Sequence, residues 1–151
     1  MDKFNLERFL QAQEHTYSYA LQELKEDRKR SHWIWYVFPQ LKGLGRSYSS
    51  EYYGISGLDE AKAYIEHTVL GQRLMEVCEV IIGLPTNDAR EVFGGIDSRK
   101  LRSSMTLFDL VSPDDVFAKV MNKFFDGRRC RKTLTDTFLS DEGFANIGNI
   151  C

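Results

Sequence analysis

The chain has 151 residues, a length typical of one domain, and 42% of them are hydrophobic while 28% are charged. These fractions are close to the averages of folded domains, which excludes a mainly disordered or fibrous chain. Aromatic residues reach 13% and prolines number only three, which favours a helix-rich protein with bulky packing. We therefore expect a single helical domain over residues 1–151.

The formal net charge of −2 argues against a long nucleic acid or a membrane surface as a partner. The first fifteen residues are charged and amphipathic, unlike the apolar centre of a signal peptide. The three cysteines (Cys78, Cys130 and Cys151) lie far apart, and an odd number cannot form a complete set of disulfides. These features predict a cytoplasmic protein and leave its oligomeric state open.

The first elements are predicted from apolar spacing. Apolar residues recur at three- and four-residue intervals through 6–26, which indicates one amphipathic helix. The apolar run 33–38 that follows is either a short buried helix halted before Pro39 or a buried strand, so a small hairpin within 33–47 stays open. The Gly- and Ser-rich stretch 41–57 is expected to be a loop with a turn or two of helix.

Helical patterns dominate the remainder of the chain. The predicted segments are 58–66, 69–84, a short helix closed by Gly94 and Gly95, 98–111, a helix that stops at Gly127, and about 130–139. Their expected amino-terminal caps are Thr68, Asn87, Asp97 and Ser112. The fold class is therefore mainly α, with about seven to nine helices.

The spacing of the possible metal-binding residues does not indicate a metal site or a cofactor site. His15, His32 and His67 are isolated from one another, and no zinc or calcium motif is present. No metal and no cofactor are predicted. The basic cluster 128–132 is compatible with phosphate binding or with a solvated helix end.

The glycine loop is the first candidate ligand site. Gly43 and Gly45 allow close approach of the backbone, which can form an anion nest with Ser47, and Arg46 adds a charged fork for phosphate. The alternative is an ordinary surface loop. Aromatic residues on both sides of the loop, chiefly Trp33, Tyr36 and Tyr53, can stack a base or belong to the core.

Glu51 is the candidate catalytic residue, because it stands among tyrosines in the segment SSEYYGI. A carboxylate partly removed from water is suited to acid–base work or to stabilising a ribosyl cation. The alternative is a first-turn glutamate after a serine cap. Further along, Lys100 and Ser103 belong to a polar helical stretch that faces either a ligand or another helix.

Four long segments carry a family resemblance: KRSHWIWYVFPQLKGLGRS, EAKAYIEHTVLGQRL, KLRSSMTLFDLV and FFDGRRCRKTL. Together they resemble the domain of unknown function family 1810, small bacterial proteins sometimes labelled calpastatin. The resemblance implies a mainly helical fold and no established activity. Calpastatin itself is a disordered inhibitor, whereas this composition belongs to a folded domain.

A shorter similarity bears on chemistry. SSEYYGI is similar to a motif of the helical family that processes NAD and ADP-ribose derivatives and includes N-glycosidases, and Glu51 falls on that family's catalytic glutamate. Tyr52 stands where that motif has a histidine. The resemblance implies a hydrolase of N-glycosidic bonds in ribosyl phosphates or other nucleotide-like small molecules. The alternative function is a non-enzymatic helical module that binds a nucleotide or a partner protein.

Overall fold

Helices form almost all the regular structure of the computed structural model, which describes residues 2–138. Nine helices lie within this range: α1 (Glu7–Gln13), α2 (Tyr17–Lys25), α3 (Ile34–Val37), α4 (Tyr48–Tyr52), α5 (Leu58–Glu66), α6 (Thr68–Ile82), α7 (Ala89–Val111), α8 (Val116–Phe125) and α9 (Arg131–Phe138). The mainly α prediction is confirmed. None of these helices has the length and apolar character needed to cross a bilayer.

The amino-terminal helix is broken in two, contrary to the single helix predicted over 6–26. The interruption lies between Gln13 and Tyr17, where the Thr16 hydroxyl donates to the carbonyl of Ala12 at 2.6 Å. The break allows α1 to pack on α3 while α2 packs on α6. Apolar spacing alone missed it, because both halves keep their apolar residues towards the same core.

A short helix forms over part of the apolar run 33–38, as predicted, and Glu23 of α2 fixes its entrance. The Glu23 carboxylate accepts hydrogen bonds from the main-chain N–H groups of Arg30 and Ser31, from the Ser31 hydroxyl at 2.6 Å and from Trp33 Nε1 at 2.9 Å. Burial alone would raise the pKa of Glu23, but these hydrogen bonds outweigh it and lower the pKa from 4.5 to about 2.

The Glu23 hydrogen bonds predict a pH-dependent stability. Because the pKa is lower in the folded state, the stabilisation is complete above 4.5 and is lost as pH falls from 4.5 towards 2. We expect Glu23→Gln to lower the free energy of unfolding by about 2 to 3 kcal/mol at pH 7. Urea unfolding of both proteins at several pH values should show this difference shrinking below pH 4.5. A constant difference across the range would contradict the assignment.

Helices α5 and α6 meet at a very tight corner. His67 follows α5 and caps α6, because its Nδ1 accepts hydrogen bonds from the N–H groups of Val69 and Leu70 at 3.2 Å. The cap of α6 is therefore His67, one residue before the predicted cap Thr68. A Cβ placed on Gly71 would lie 2.0 Å from the carbonyl oxygen of Ile65. Only glycine therefore permits this approach of the two helices.

The long helix α7 contains a kink at Gly94, where φ is +81°. The sequence predicted two helices separated by Gly94 and Gly95, and the structure keeps both halves in one kinked element. Its cap is Asp88, which accepts from the N–H of Arg90, in place of the predicted Asn87. Beyond the kink α7 packs against α5, α8 and α9 and places Phe108 in the core.

Helix α8 begins later than predicted. Asp115 is its cap and accepts from the N–H of Val116, while the expected cap Ser112 donates its hydroxyl to the Asp115 carboxylate at 2.8 Å. At the other end Asp126 and Gly127 both have positive φ, which ends the helix where the sequence predicted. The predicted end of α9 at residue 139 lies outside the described residues.

No hairpin forms within residues 33–47. The described chain instead has a single parallel bridge between Leu41 and Ile55, in which Lys42 N–H donates to the Ile55 carbonyl and Ile55 N–H to the Gln40 carbonyl, both at 2.8 Å. A Cβ on Gly54 would lie 2.7 Å from the Lys42 backbone, so glycine is needed at this crossing. The bridge closes a loop over 42–54 that contains α4.

A buried ion pair ties this loop to the helices around it. Arg8 of α1 is 7% exposed and its Nη2 lies 2.7 Å from Glu60 Oε2 of α5. The Arg8 guanidinium also donates to the main-chain carbonyls of Phe4, Asn5, Tyr52 and Gly54. One side chain thereby joins α1, the end of α4 and the start of α5.

Candidate functional site

A cationic cleft of about 190 Å³ lies between the glycine loop and α7. Its basic residues are Arg99 and Lys100 of α7 and Lys132 of α9. The remaining walls come from the indole of Trp35, the amide of Gln40, and Leu44, Gly45, Ile96 and Ser103. We call this cavity the Trp35 cleft.

Lys100 is held over the face of Trp35, with its Nζ 4.0 Å from the ring centroid. Asp97, one turn earlier, lies 3.0 Å from Lys100 Nζ and 2.6 Å from Lys29 Nζ. Burial would raise the pKa of Asp97, but the hydrogen bonds from Lys29 and Lys100 hold the pKa below its ordinary value. Asp97 therefore stays ionised and positions Lys100 at the cleft.

Positive charge exceeds negative charge around the Trp35 cleft. Lys132 has a carboxylate partner, Asp136, at 3.2 Å, and one aspartate is shared by Lys29 and Lys100. Arg99 is exposed and makes no ion pair within residues 2–138. The lining residues of the cleft include no carboxylate, so an anion that enters it competes with Asp97 for Lys100 and with Asp136 for Lys132, while Arg99 is available to it.

The structure brings some of the predicted ligand residues together at this cleft. Gly45, Lys100 and Ser103 line it, and Tyr53 lines a small cavity that shares its Trp35 wall. The Ser103 hydroxyl donates to the Arg99 carbonyl at 3.1 Å, so its position is fixed by the helix. A Cβ on Gly45 would lie 2.9 Å from Ser50 Cβ, so a side chain at this position of the cleft wall would collide with Ser50.

Other predicted aromatic residues lie away from the cleft. Trp33 is 1% exposed and bonds to Glu23, which makes it a core residue unavailable for stacking. Tyr36 is half-buried, its ring lies 5.2 Å from that of Tyr53, and its carbonyl accepts from Gln13. For these two residues the geometry matches the core interpretation.

The remaining loop residues have local roles. Gly43 adopts a φ of +96° in the turn, Ser47 caps α4 by accepting from the N–H of Ser50, and Arg46 is exposed beside the turn. None of the three is among the residues that line the Trp35 cleft. Of the four residues predicted to form a phosphate nest in this loop, only Gly45 lines the cleft.

Glu51 is not among the residues that line the Trp35 cleft. It occupies the first turn of α4, behind the Ser47 cap, and is exposed. It borders a shallow depression together with Arg8, Lys42 and Tyr52. This geometry is that of the first-turn glutamate considered as the alternative, and it leaves the carboxylate in contact with water.

Sequence reasoning gave no role to Gln40, Ile96 or Arg99 of the cleft, and it considered Lys132 only as part of the basic cluster 128–132. Trp35 was visible only as one member of an aromatic run. The signal for the basic residues was the spacing of Arg99 and Lys100 next to the polar stretch of α7, but Lys132 meets them only through the packing of α9 on α7. Within residues 2–138, no three His, Cys, Asp or Glu side chains are grouped to hold a metal ion.

The fold and its cleft define a small, mainly helical protein with a cationic cavity of about 190 Å³. The sequence matches the family described as Protein of unknown function (DUF1810) over residues 3–137, so the chain belongs to this family. It is similar to the crystal structure of the conserved hypothetical protein Rv1873 from Mycobacterium tuberculosis, with 42% identity and a TM-score of 0.88 over 90% of this chain and 98% of that one. No curated protein matches the chain. Neither description names an activity, and the similarity to N-glycosidases stays a prediction.

Proposed function

We propose that the protein binds a small phosphorylated, nucleotide-like molecule in the Trp35 cleft. The observation that carries the proposal is the convergence of Arg99, Lys100 and Lys132 beside the half-buried indole of Trp35, one face of which Lys100 covers. Cations placed around a concave site attract phosphate, and an indole offers a flat surface to a base. The small volume and the net charge of −2 favour a small ligand over a long nucleic acid.

The proposal is tested by titrating the protein with AMP, using calorimetry and the fluorescence of Trp35. We expect saturable binding that raises the melting temperature and changes the emission, because Trp35 lies in the cleft while Trp33 is buried. Arg99→Gln and Lys132→Gln should each weaken binding about tenfold, the usual value of one charged hydrogen bond. Arg28→Gln, an exposed arginine outside the cleft, is the matched control.

Absence of binding by wild-type protein, or affinities unchanged in Arg99→Gln and Lys132→Gln, would overturn the proposal. Equal losses in Arg28→Gln would do the same, because they would indicate attraction to the overall surface and no defined site.

Binding without turnover is favoured over N-glycoside hydrolysis. Hydrolysis through Glu51 needs its carboxylate at the ribosyl bond, whereas Glu51 borders a separate depression. Prolonged incubation with AMP or ADP-ribose should return the ligand intact, and Glu51→Gln should leave affinity unchanged. Release of a base by wild-type protein, lost in Glu51→Gln, would replace this proposal with the hydrolase.

A further inference from the structure

A second cationic cavity lies on the other side of Arg99. It has a volume of about 300 Å³, and its basic residues are Arg90, Arg99 and Arg102. Phe124 and Phe125 of α8 form its apolar wall. Arg99 lines both this cavity and the Trp35 cleft, so the two cavities are neighbours. We call it the Arg90 cavity.

The three arginines of the Arg90 cavity lack carboxylate partners. None of them makes an ion pair within residues 2–138. Asp88 also lines the cavity, but its carboxylate accepts from the N–H of Arg90 as the cap of α7. Three like charges around one concave surface repel one another, and a bound anion would relieve that repulsion.

Arg102 is fixed in place with part of its guanidinium unused. Its Nε and Nη2 donate to the carbonyls of Arg128 and Arg129 at 2.8 and 3.2 Å, while Nη1 has no partner among the described residues. Burial and the nearby charge of Arg128 lower the pKa of Arg102 below its ordinary value. A cation held rigidly by two carbonyls loses little side-chain entropy when it binds a ligand.

We infer that the Arg90 cavity is a second phosphate subsite and that the ligand carries two phosphate groups on separate positions. The inference rests on the proposed function of the Trp35 cleft. One phosphate lies among Arg99, Lys100 and Lys132, and the second lies among Arg90, Arg99 and Arg102. Arg99, which borders both cavities, contacts both phosphates. The ligand class is a bisphosphate of a nucleoside or sugar.

The test compares AMP with adenosine 3′,5′-bisphosphate, which differ by one phosphate. Calorimetry on wild-type protein should show the bisphosphate binding about tenfold more tightly, as one further charged contact implies. Arg90→Gln should reduce the affinity for the bisphosphate to that for AMP and leave AMP binding unchanged. Lys132→Gln should weaken both ligands, and the control Arg28→Gln neither.

Three other results would contradict the second subsite. If Lys132→Gln weakens both ligands while Arg90→Gln changes neither, the second subsite is refuted and the Trp35 cleft stands. If Arg90→Gln weakens AMP as much as the bisphosphate, Arg90 belongs to the same site and the two-phosphate ligand is refuted. If neither ligand binds, the proposed function fails and the subsite fails with it. Equal melting temperatures of Arg90→Gln and wild-type protein exclude misfolding as the cause.

Discussion

Gly71→Ala is expected to lower the free energy of unfolding by about 2 to 4 kcal/mol, even though alanine favours helices more than glycine does. The new Cβ would lie 2.0 Å from the Ile65 carbonyl oxygen, well inside the contact distance of the two atoms. This obstacle is main chain at the corner of α5 and α6, so no rotamer change can relieve it. Helix α6 must move away from α5, which opens the core where Leu70 and Leu74 are buried.

Gly83→Ala is the matched control, because Gly83 follows the same helix in a helical conformation with φ of −78°. Its added Cβ would lie 3.6 Å from the nearest atoms, an ordinary contact. We expect this variant to be neutral or more stable by about 0.4 to 1 kcal/mol. Chemical unfolding of both variants checks the pair. Equal effects at the two glycines would show that the corner is not tight.

The second large effect is expected for Arg8→Met, which should cost about 3 to 5 kcal/mol of unfolding free energy. Methionine fills most of the volume of arginine but leaves the buried Glu60 carboxylate without its cation. It also removes the donors of four main-chain carbonyls, among them those of Tyr52 and Gly54. Unfolding in urea measures the loss.

The double variant Arg8→Met with Glu60→Met separates charge from packing. Removing both charges abolishes the uncompensated carboxylate, so the double variant should be more stable than the sum of the two single changes predicts. Strict additivity would show that the ion pair is not coupled. Arg8→Lys, which keeps the charge but has fewer donors than arginine, should lie between wild-type protein and Arg8→Met.

The helical content of the fold could be predicted because amphipathic spacing reports local burial. Helix α5 has the predicted bounds, and α3 forms where the apolar run precedes Pro39. Caps were less predictable, since several residues near a helix start can accept the same hydrogen bonds. Asp115 took the role expected for Ser112, and His67 the role expected for Thr68. The choice among them depends on how neighbouring helices pack.

The candidate site was predictable only where its residues are close in sequence. The glycine-rich loop indicated Gly45, and the polar helical stretch indicated Lys100 and Ser103. The approach of Lys132 depends on α9 crossing α7, and the burial of Trp33 depends on Glu23 ten residues earlier. Neither contact can be predicted from the residues that are adjacent in the sequence. Only the tertiary structure shows that Glu51 borders a different depression from the Trp35 cleft.

The bridge between Leu41 and Ile55 has a consequence for how the loop 42–54 is connected to the helices. It joins the two ends of the loop 42–54, and the main-chain carbonyls of Tyr52 and Gly54 in the same loop accept hydrogen bonds from Arg8 of α1. The loop supplies Leu44 and Gly45 to the cleft, while the basic residues belong to α7 and α9. A rearrangement of the loop would therefore disturb the buried Arg8–Glu60 pair as well as the cleft wall, so the loop and the helices are mechanically coupled.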